Sequence, residues 1–422
     1  VKNLSERDSQ VLFHPFTVFN SEGRNIPVIG GEKEFIITED GRRIIDAVSS
    51  WWLNLHGHNH PYINQKIKEQ LDKLEHVIFA GFTHEPAIVL AERLLEKAGD
   101  KFKRVFLSDN GSTAVEVALK MAIQHAFNQG AARKSVIAFK NSYHGDTFGS
   151  MSVSERDLFV APFAQHLFSV DFIDVPTDET GEQILADFEK LLQEKPAAFI
   201  FEPLVQGAGG MRMYPAEWLD KLIALAQSQG VICIADEVMT GFGRTGTFFA
   251  SDQLKNKPDL ICLSKGITGG YLPLGATIIS EEISKSFETS DDKKAFYHGH
   301  SFTGNPISCS AALASFDLME STDSQKDRQR ILDTFLGWKD EFKYLPFAKD
   351  IRTMGGIFAM DIETKDDGYF YTNPIKKVLY SHFLERDILM RPMGNVVYVM
   401  PPYCTSDESL ERIKKAIRDI SA

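Results

Sequence analysis

Two apolar runs in this chain end in groups able to react. Val231-Ile-Cys-Ile-Ala leads into Asp236 and Glu237, and Leu260-Ile-Cys-Leu-Ser leads into Lys265, with glycines following. In a parallel α/β sheet, ligands collect beyond the carboxyl ends of the strands, so Asp236 and Lys265 can both reach one bound ring. An amine with a carboxylate is what pyridoxal phosphate requires, the amine for its aldehyde and the acid for its pyridine nitrogen. Each group alone has a plainer reading. An isolated lysine is usually solvated, and a strand-end carboxylate commonly caps backbone amides. A carboxylate after so apolar a strand is nevertheless costly without a partner. A lysine in a dry site has its pKa lowered toward that of a working base.

The loop Ser108-Asp-Asn-Gly-Ser-Thr113 adds an anion cradle between an expected strand and an expected helix, with Ser112 as the expected cap. Free N–H groups and the positive dipole end at a helix start favour a phosphate there. On its own such a loop is more often an ordinary capped turn. Gly241-Phe-Gly-Arg-Thr-Gly246 matches the dinucleotide pattern G-x-G-x-x-G, but Thr247-Phe-Phe-Ala-Ser-Asp252 has no helical start. The dinucleotide reading is therefore rejected in favour of a tight loop near the cofactor.

These groups need a scaffold, and the hydrophobic pattern predicts one. Short apolar runs at Arg104–Leu107, Ser135–Phe139, Ala197–Phe201, Val231–Ala235, Leu260–Leu263 and Gly275–Ile279 alternate with helical stretches. One such stretch runs from Ser112 to Phe127 with Val115, Leu119, Ala122 and Ala126 on one face. This alternation predicts an α/β fold with a mostly parallel sheet covered by helices. Glu34 to Asp46 reads as a hairpin turning at Asp40-Gly41. The expected organisation is an amino-terminal segment 1–48 packing with the small domain, a large cofactor domain 49–304, a connecting helix 305–330 and a small α+β domain 331–422. The charged run Asp323 to Arg330 marks the last boundary.

At 422 residues and 43% hydrophobic content, the chain can bury one sizeable core and a second, smaller one. Its 46 basic and 58 acidic residues give a net charge of −12. That balance opposes binding to nucleic acid or anionic membrane surfaces and points to a small-molecule substrate. Cys233, Cys262, Cys309 and Cys404 are scattered without metal-ligand spacing, so no metal site is expected and the thiols read as reduced. The opening Val-Lys-Asn-Leu-Ser-Glu-Arg-Asp is too polar for a signal peptide and no apolar run is long enough to span a bilayer. A cytoplasmic protein is expected.

Asp236-Glu-Val-Met-Thr-Gly-Phe-Gly-Arg-Thr-Gly246, the Lys265-Gly loop and His298-Gly-His-Ser-Phe-Thr-Gly-Asn-Pro306 resemble, in order and spacing, the class III pyridoxal-phosphate aminotransferases. Within the class, His14-Pro-Phe-Thr17, Ser49-Ser-Trp-Trp52, Asn110 to Glu116, Arg391-Pro and Tyr398-Val-Met-Pro-Pro402 resemble the branch that makes 7,8-diaminononanoate for biotin. The resemblance implies a fold-type I transferase acting as a homodimer, with active sites at the subunit interface. It implies that Lys265 carries the Schiff base and moves the proton, that Asp236 keeps the ring nitrogen protonated, and that Tyr143 stacks on the cofactor. Gly111 and Ser112 would hold the phosphate, with His300 and Ser301 arriving from the neighbouring subunit and Gln206 near the phenolic oxygen.

For 8-amino-7-oxononanoate, an apolar chain ending in a carboxylate, the resemblance implies a channel with a cation. Trp51, Trp52, Tyr143, Tyr398 and Phe16 would line it, Gly299 would admit the chain, and Arg391 would take the carboxylate. Without the family pattern, a Trp pair reads as core and an Arg before Pro as surface. Two positions depart from the pattern. Phe16 stands where members using S-adenosylmethionine typically carry tyrosine, and Ser301 where threonine is usual. S-adenosylmethionine is the expected amino donor and lysine the alternative, because losing a hydroxyl weakens a site built on hydrogen bonds. Still open are an ω-aminotransferase for ornithine, 4-aminobutyrate or diamines, and a protein that binds the cofactor without turnover.

Overall fold

A computed structural model of the chain describes residues 3–18, 25–131, 133, 135–155, 159–364 and 373–420. The central sheet has seven strands in the spatial order Phe102–Ser108, Gly275–Ser280, Leu260–Leu263, Ile232–Asp236, Ala198–Phe201, Val136–Phe139 and Asp171–Ile173. The last five run parallel, whereas Gly275–Ser280 is antiparallel to both of its neighbours. Six of the strands coincide with the expected apolar runs. Asp171–Ile173 was not expected, because a three-residue edge strand opening on Asp is too short to show a period.

The strands read as continuous apolar runs because both faces are covered. Val136, Ala138, Ala198, Ile200, Ile232, Ile234, Leu260 and Cys262 pack with the helix Gly111–Asn128 on one side. The alternate residues Ile137, Phe139, Phe199, Phe201, Cys233 and Ala235 join Leu219, Leu222 and Ile223 of the helix Ala216–Ser228 on the other. Successive side chains point to opposite faces of a strand, so one run feeds two cores.

The expected hairpin forms, Phe35–Thr38 pairing antiparallel with Arg43–Asp46 around the Asp40-Gly41 turn, where Gly41 has φ 85°. Val28–Glu32 adds on one side and Ile388–Leu389 pairs parallel with Arg43–Asp46 on the other. A second small sheet joins Ala348–Met354, Ile357–Ile362 and Val396–Val399. The charged run Asp323 to Arg330 is not a break. It forms the first half of one helix, Thr322–Phe342, so the boundary expected at 330/331 falls inside a continuous element. Early in the helix Asp323 and Lys326 are exposed and Asp327, Arg328 and Arg330 half-buried, while Ile331, Phe335, Trp338 and Phe342, at helical spacing, are buried.

Candidate active site

The carboxyl ends of the parallel strands open into a cavity of about 630 Å³, lined among others by Lys265, Asp236, Glu202, Tyr143, Ser112 and Trp52. Strand alternation separates the two neighbouring acids. Asp236 lines the cavity, its Oδ2 2.7 Å from His144 Nδ1 and its Oδ1 accepting from the Val238 amide at 3.0 Å. Glu237 turns away and accepts from the amides of Ala250 and Ser251 at 2.9 and 2.7 Å and from the Thr240 hydroxyl at 2.8 Å. Glu237 thus shapes the glycine-rich loop and Asp236 serves the cavity. An ionised carboxylate has about four lone-pair sites, which leaves Asp236 able to accept a further donor.

Lys265 opens a short 3₁₀ turn at φ 45°, a strained value for a residue with a side chain. Its Nζ sits 4.7 Å over the Trp52 ring. Burial lowers its pKa, against the pull of the Asp236 and Glu202 carboxylates, so its free amine is closer to hand than that of a solvated lysine.

The anion cradle differs from expectation in its cap. Gly111 is the first helical residue, so Asn110 is the cap: its side chain accepts from the Thr113 amide at 3.0 Å, and the Thr113 hydroxyl accepts from the Asn110 amide at 3.1 Å. Ser112, two residues past the cap, instead accepts from the Asp146 amide at 3.2 Å and stays on the cavity wall. Gly145, at φ 126°, packs so closely on Ser112 that a Cβ there would collide with its hydroxyl. The Tyr143 hydroxyl donates to Asp146 Oδ2 at 2.8 Å, which fixes the ring's direction.

Ser49-Ser-Trp-Trp52 forms a contorted turn. Ser49, Ser50 and Trp52 have φ of 50°, 60° and 70°, and Ser50, with ψ −72°, takes the strained γ-turn conformation. Buried Asp46 holds it, accepting from the Ser50 amide at 2.7 Å and hydroxyl at 2.9 Å while also contacting His58 Nε2 at 2.9 Å. Ser49 donates its hydroxyl to the Met400 carbonyl at 2.8 Å. Arg244, from the rejected dinucleotide motif, is buried and donates to the carbonyls of Pro401, Trp52 and Asn54 at 2.9, 3.3 and 3.3 Å. Trp52 Nε1 donates to the Tyr398 hydroxyl at 3.0 Å. Trp51 is half-buried against the core, with Phe16 edge-on at 5.4 Å and the Arg391 guanidinium 4.6 Å over its ring.

Of the residues singled out in the sequence, Lys265, Asp236, Tyr143, Gly111, Ser112 and Trp52 share the cavity. Phe16, Trp51 and Arg391 form a neighbouring cluster, and Tyr398 reaches the wall through Trp52. Gln206 lies behind the lining, its Nε2 donating to the Lys140 carbonyl at 2.7 Å and its buried Oε1 without a hydrogen-bond partner among the described residues. Gly299, His300 and Ser301 are not brought to this cavity within one chain: the Ser301 carbonyl lies 2.6 Å from His76 Nε2, and the His300 amide donates to Thr303 at 3.2 Å. Sequence reasoning missed His144 and Glu202. Their cue is weak, His144 following Tyr143 directly and Glu202 ending an apolar strand as Asp236 does. Burial pushes Glu202 up to about 7.

An amine, a spare carboxylate edge and a helix-start cradle around one cavity fit an aldehyde-bearing phosphorylated pyridine. The chain belongs to the class III aminotransferases, matching the family described as Aminotransferase class-III over residues 19–420. It is 47% identical over 418 residues to the adenosylmethionine-8-amino-7-oxononanoate aminotransferase of Synechococcus elongatus, covering 97% of this chain and 98% of that protein. The Helicobacter pylori protein of the same name is 36% identical, with 99% of this chain and 96% of that protein covered. Among solved structures, the same-named enzyme of Methanocaldococcus jannaschii superposes with a TM-score of 0.93 at 34% identity, covering 99% of this chain and 98% of that one. An amine transaminase of an uncultivated Pseudomonas species, solved with pyridoxal phosphate bound, gives 0.90 at 29% identity, covering 96% of this chain and 97% of that one.

Proposed function

We propose that this chain is the aminotransferase that converts 8-amino-7-oxononanoate to 7,8-diaminononanoate, with pyridoxal phosphate as cofactor and S-adenosylmethionine as amino donor. The observation that carries the substrate reading is the Arg391 guanidinium stacked at 4.6 Å on Trp51, next to Trp52 on the cavity wall. An apolar wall ending in a cation suits a long-chain keto acid whose carboxylate lies far from the reacting carbon.

When bound, pyridoxal phosphate supplies an aldehyde that takes up an amino group and a ring that accepts the electron pair left when a proton departs from the donor's α-carbon. Lys265 Nζ, whose pKa burial lowers so that the free amine is at hand, would take that proton and return it one atom along, then repeat the exchange in reverse for the acceptor. Asp236 holds the ring nitrogen protonated, and His144 fixes the direction of its carboxylate. Gly111 and Ser112 hold the phosphate, and Tyr143 stacks on the ring with its hydroxyl tied to Asp146. Gln206 would support the phenolic side through its carboxamide oxygen, which has no partner among the described residues.

In this reading the working unit is a homodimer, Gly299, His300 and Ser301 completing the neighbour's site. Their position away from their own cavity, beside exposed Phe302 and Tyr297, supports it. Segment 1–48 packs with the small domain, 49–304 is the cofactor domain, and 305–422 supplies the connection and the small domain, which share the helix Thr322–Phe342; the pairing of Ile388–Leu389 with Arg43–Asp46 supports the first of these packing on the last. A cytoplasmic setting agrees with four free cysteines and with the absence of a helix long and apolar enough to cross a membrane among the described residues. Phe16, which brings no hydroxyl to its contact with Trp51, supports lysine as the second reading of the donor. The test is product analysis: 8-amino-7-oxononanoate with either donor must yield 7,8-diaminononanoate, and turnover only with ornithine, 4-aminobutyrate or diamines overturns the assignment.

A further inference from the structure

Glu202 is the buried ionisable group on the cavity wall to which the mechanism above gives no task. It follows the strand Ala198–Phe201 and is only 4% exposed. Its Oε1 accepts from the Tyr143 amide at 3.1 Å and its Oε2 from the Gly207 amide at 2.8 Å. Gly207 lies under Trp52, where a Cβ would stand 3.1 Å from the indole ring. One carboxyl therefore ties the loop of the stacking residue to the floor beneath the tryptophan that Lys265 faces.

Its electrostatic surroundings are crowded. Asp236 faces it from the adjacent strand, His144 and Tyr143 from the loop after Val136–Phe139, Lys265 from the turn after Leu260–Leu263, and Tyr214 from the segment before Ala216–Ser228. Two carboxyls in one dry site do not both ionise at low cost, and the proton goes to the one with the poorer donors. Asp236 has the His144 imidazole as well as an amide, whereas Glu202 has amides alone among the described residues. The proton belongs on Glu202.

We propose that Glu202 is a positioning residue that also stores a proton: its carboxyl fixes the Tyr143 and Gly207 amides and changes charge in step with the Lys265 nitrogen. This rests on the pyridoxal-phosphate reading of the cavity. Burial pushes the Glu202 carboxyl up to about 7 and the Lys265 amine down, and each charged form favours the other.

The experiment is a pH titration of the cofactor's visible band in protein reconstituted with pyridoxal phosphate, comparing wild type with Glu202→Gln. Above pH about 7 the wild-type carboxyl has lost its proton and faces the Lys265 nitrogen as an anion, so removing it should lower the midpoint of the band by about one pH unit, a shift that a purely structural role would not cause. A midpoint within about 0.2 unit of wild type overturns the proposal while leaving the cofactor reading intact. If the wild type itself acquires no band with pyridoxal phosphate, the cofactor reading fails and this inference with it. Should Glu202→Gln not fold, infrared spectra of wild-type holoenzyme carrying isotope-labelled glutamate decide the matter. A buried protonated glutamate must be lost as pH rises through about 7, and its absence refutes the proposal.

Discussion

Replacing Asp46 with alanine should release the turn that carries Trp51 and Trp52, and so damage keto-acid binding more than cofactor binding. Ser49, Ser50 and Trp52 sit at φ of 50°, 60° and 70°, and at roughly 1 kcal/mol apiece such residues store about 3 kcal/mol of strain. Asp46 opposes this through the Ser50 amide at 2.7 Å and hydroxyl at 2.9 Å, charge-assisted bonds worth about 1.5 kcal/mol each. The two sums are nearly equal, so losing the carboxylate lets the turn relax and the Trp51–Arg391 platform disperse. Misplacing that platform should raise the KM for the keto acid about 10- to 100-fold, the equivalent of about 1.4–2.8 kcal/mol. Trp52 also lies beneath Lys265 on the cavity wall, but the donor half-reaction does not use the Trp51–Arg391 platform, so the visible band should persist and the donor half-reaction should change less than the keto-acid one. Stopped-flow kinetics of each half-reaction separates the two. Asp46→Asn, which keeps the shape and one acceptor, should fall between. A folded Asp46→Ala protein with an unchanged keto-acid KM would show that the turn does not depend on this carboxylate.

Three further outcomes follow from the same geometry. Lys265→Ala should abolish multiple turnover while still binding some cofactor, and normal turnover by that variant would remove Lys265 from the mechanism. Gly145→Ala, which drives a methyl into the Ser112 hydroxyl, should weaken pyridoxal phosphate binding at least about tenfold, or about 1.4 kcal/mol, in titrations of the apoprotein; unchanged affinity would separate Ser112 from the phosphate. The Glu202 carboxyl loses its proton near the ordinary 4.5 when unfolded and near 7 when folded, so the folded chain binds more protons between those values. Its contribution to the stability of the apoprotein should therefore fall as pH rises through that window, by about 3 kcal/mol, against the opposite trend from buried His56, held down at about 3 in the folded chain. Glu202→Gln should remove that contribution, so the variant gains stability on wild type as pH rises through the window, and denaturation midpoints with equal pH slopes in both proteins would contradict it.

What was legible in the sequence was whatever local pattern determines. Val231–Ala235 and Leu260–Leu263 declared themselves as strands because both faces are buried, and their ends located Asp236 and Lys265. Asp171–Ile173 was too short to announce itself. The charged run after Asp323 resembled a break because its apolar stripe begins only at Ile331. Which of Asp236 and Glu237 faces the cavity follows from pleat direction, which depends on the neighbouring strands. The Trp52 to Tyr398 hydrogen bond joins residues 346 positions apart, and Arg244 reaches from the G-x-G-x-x-G loop to carbonyls far along the chain. No local pattern encodes such meetings. Asp46, His144 and Glu202 escaped for the same reason: each acts on a neighbour that only the fold supplies.

The most direct test of the account is the absorbance spectrum of the cofactor-loaded protein through one complete exchange. The protein is mixed separately with S-adenosylmethionine and with lysine, then with 8-amino-7-oxononanoate. The account predicts that one donor bleaches the visible band and that the keto acid restores it, with 7,8-diaminononanoate released. A band that neither donor changes, or that the keto acid fails to restore, would contradict it.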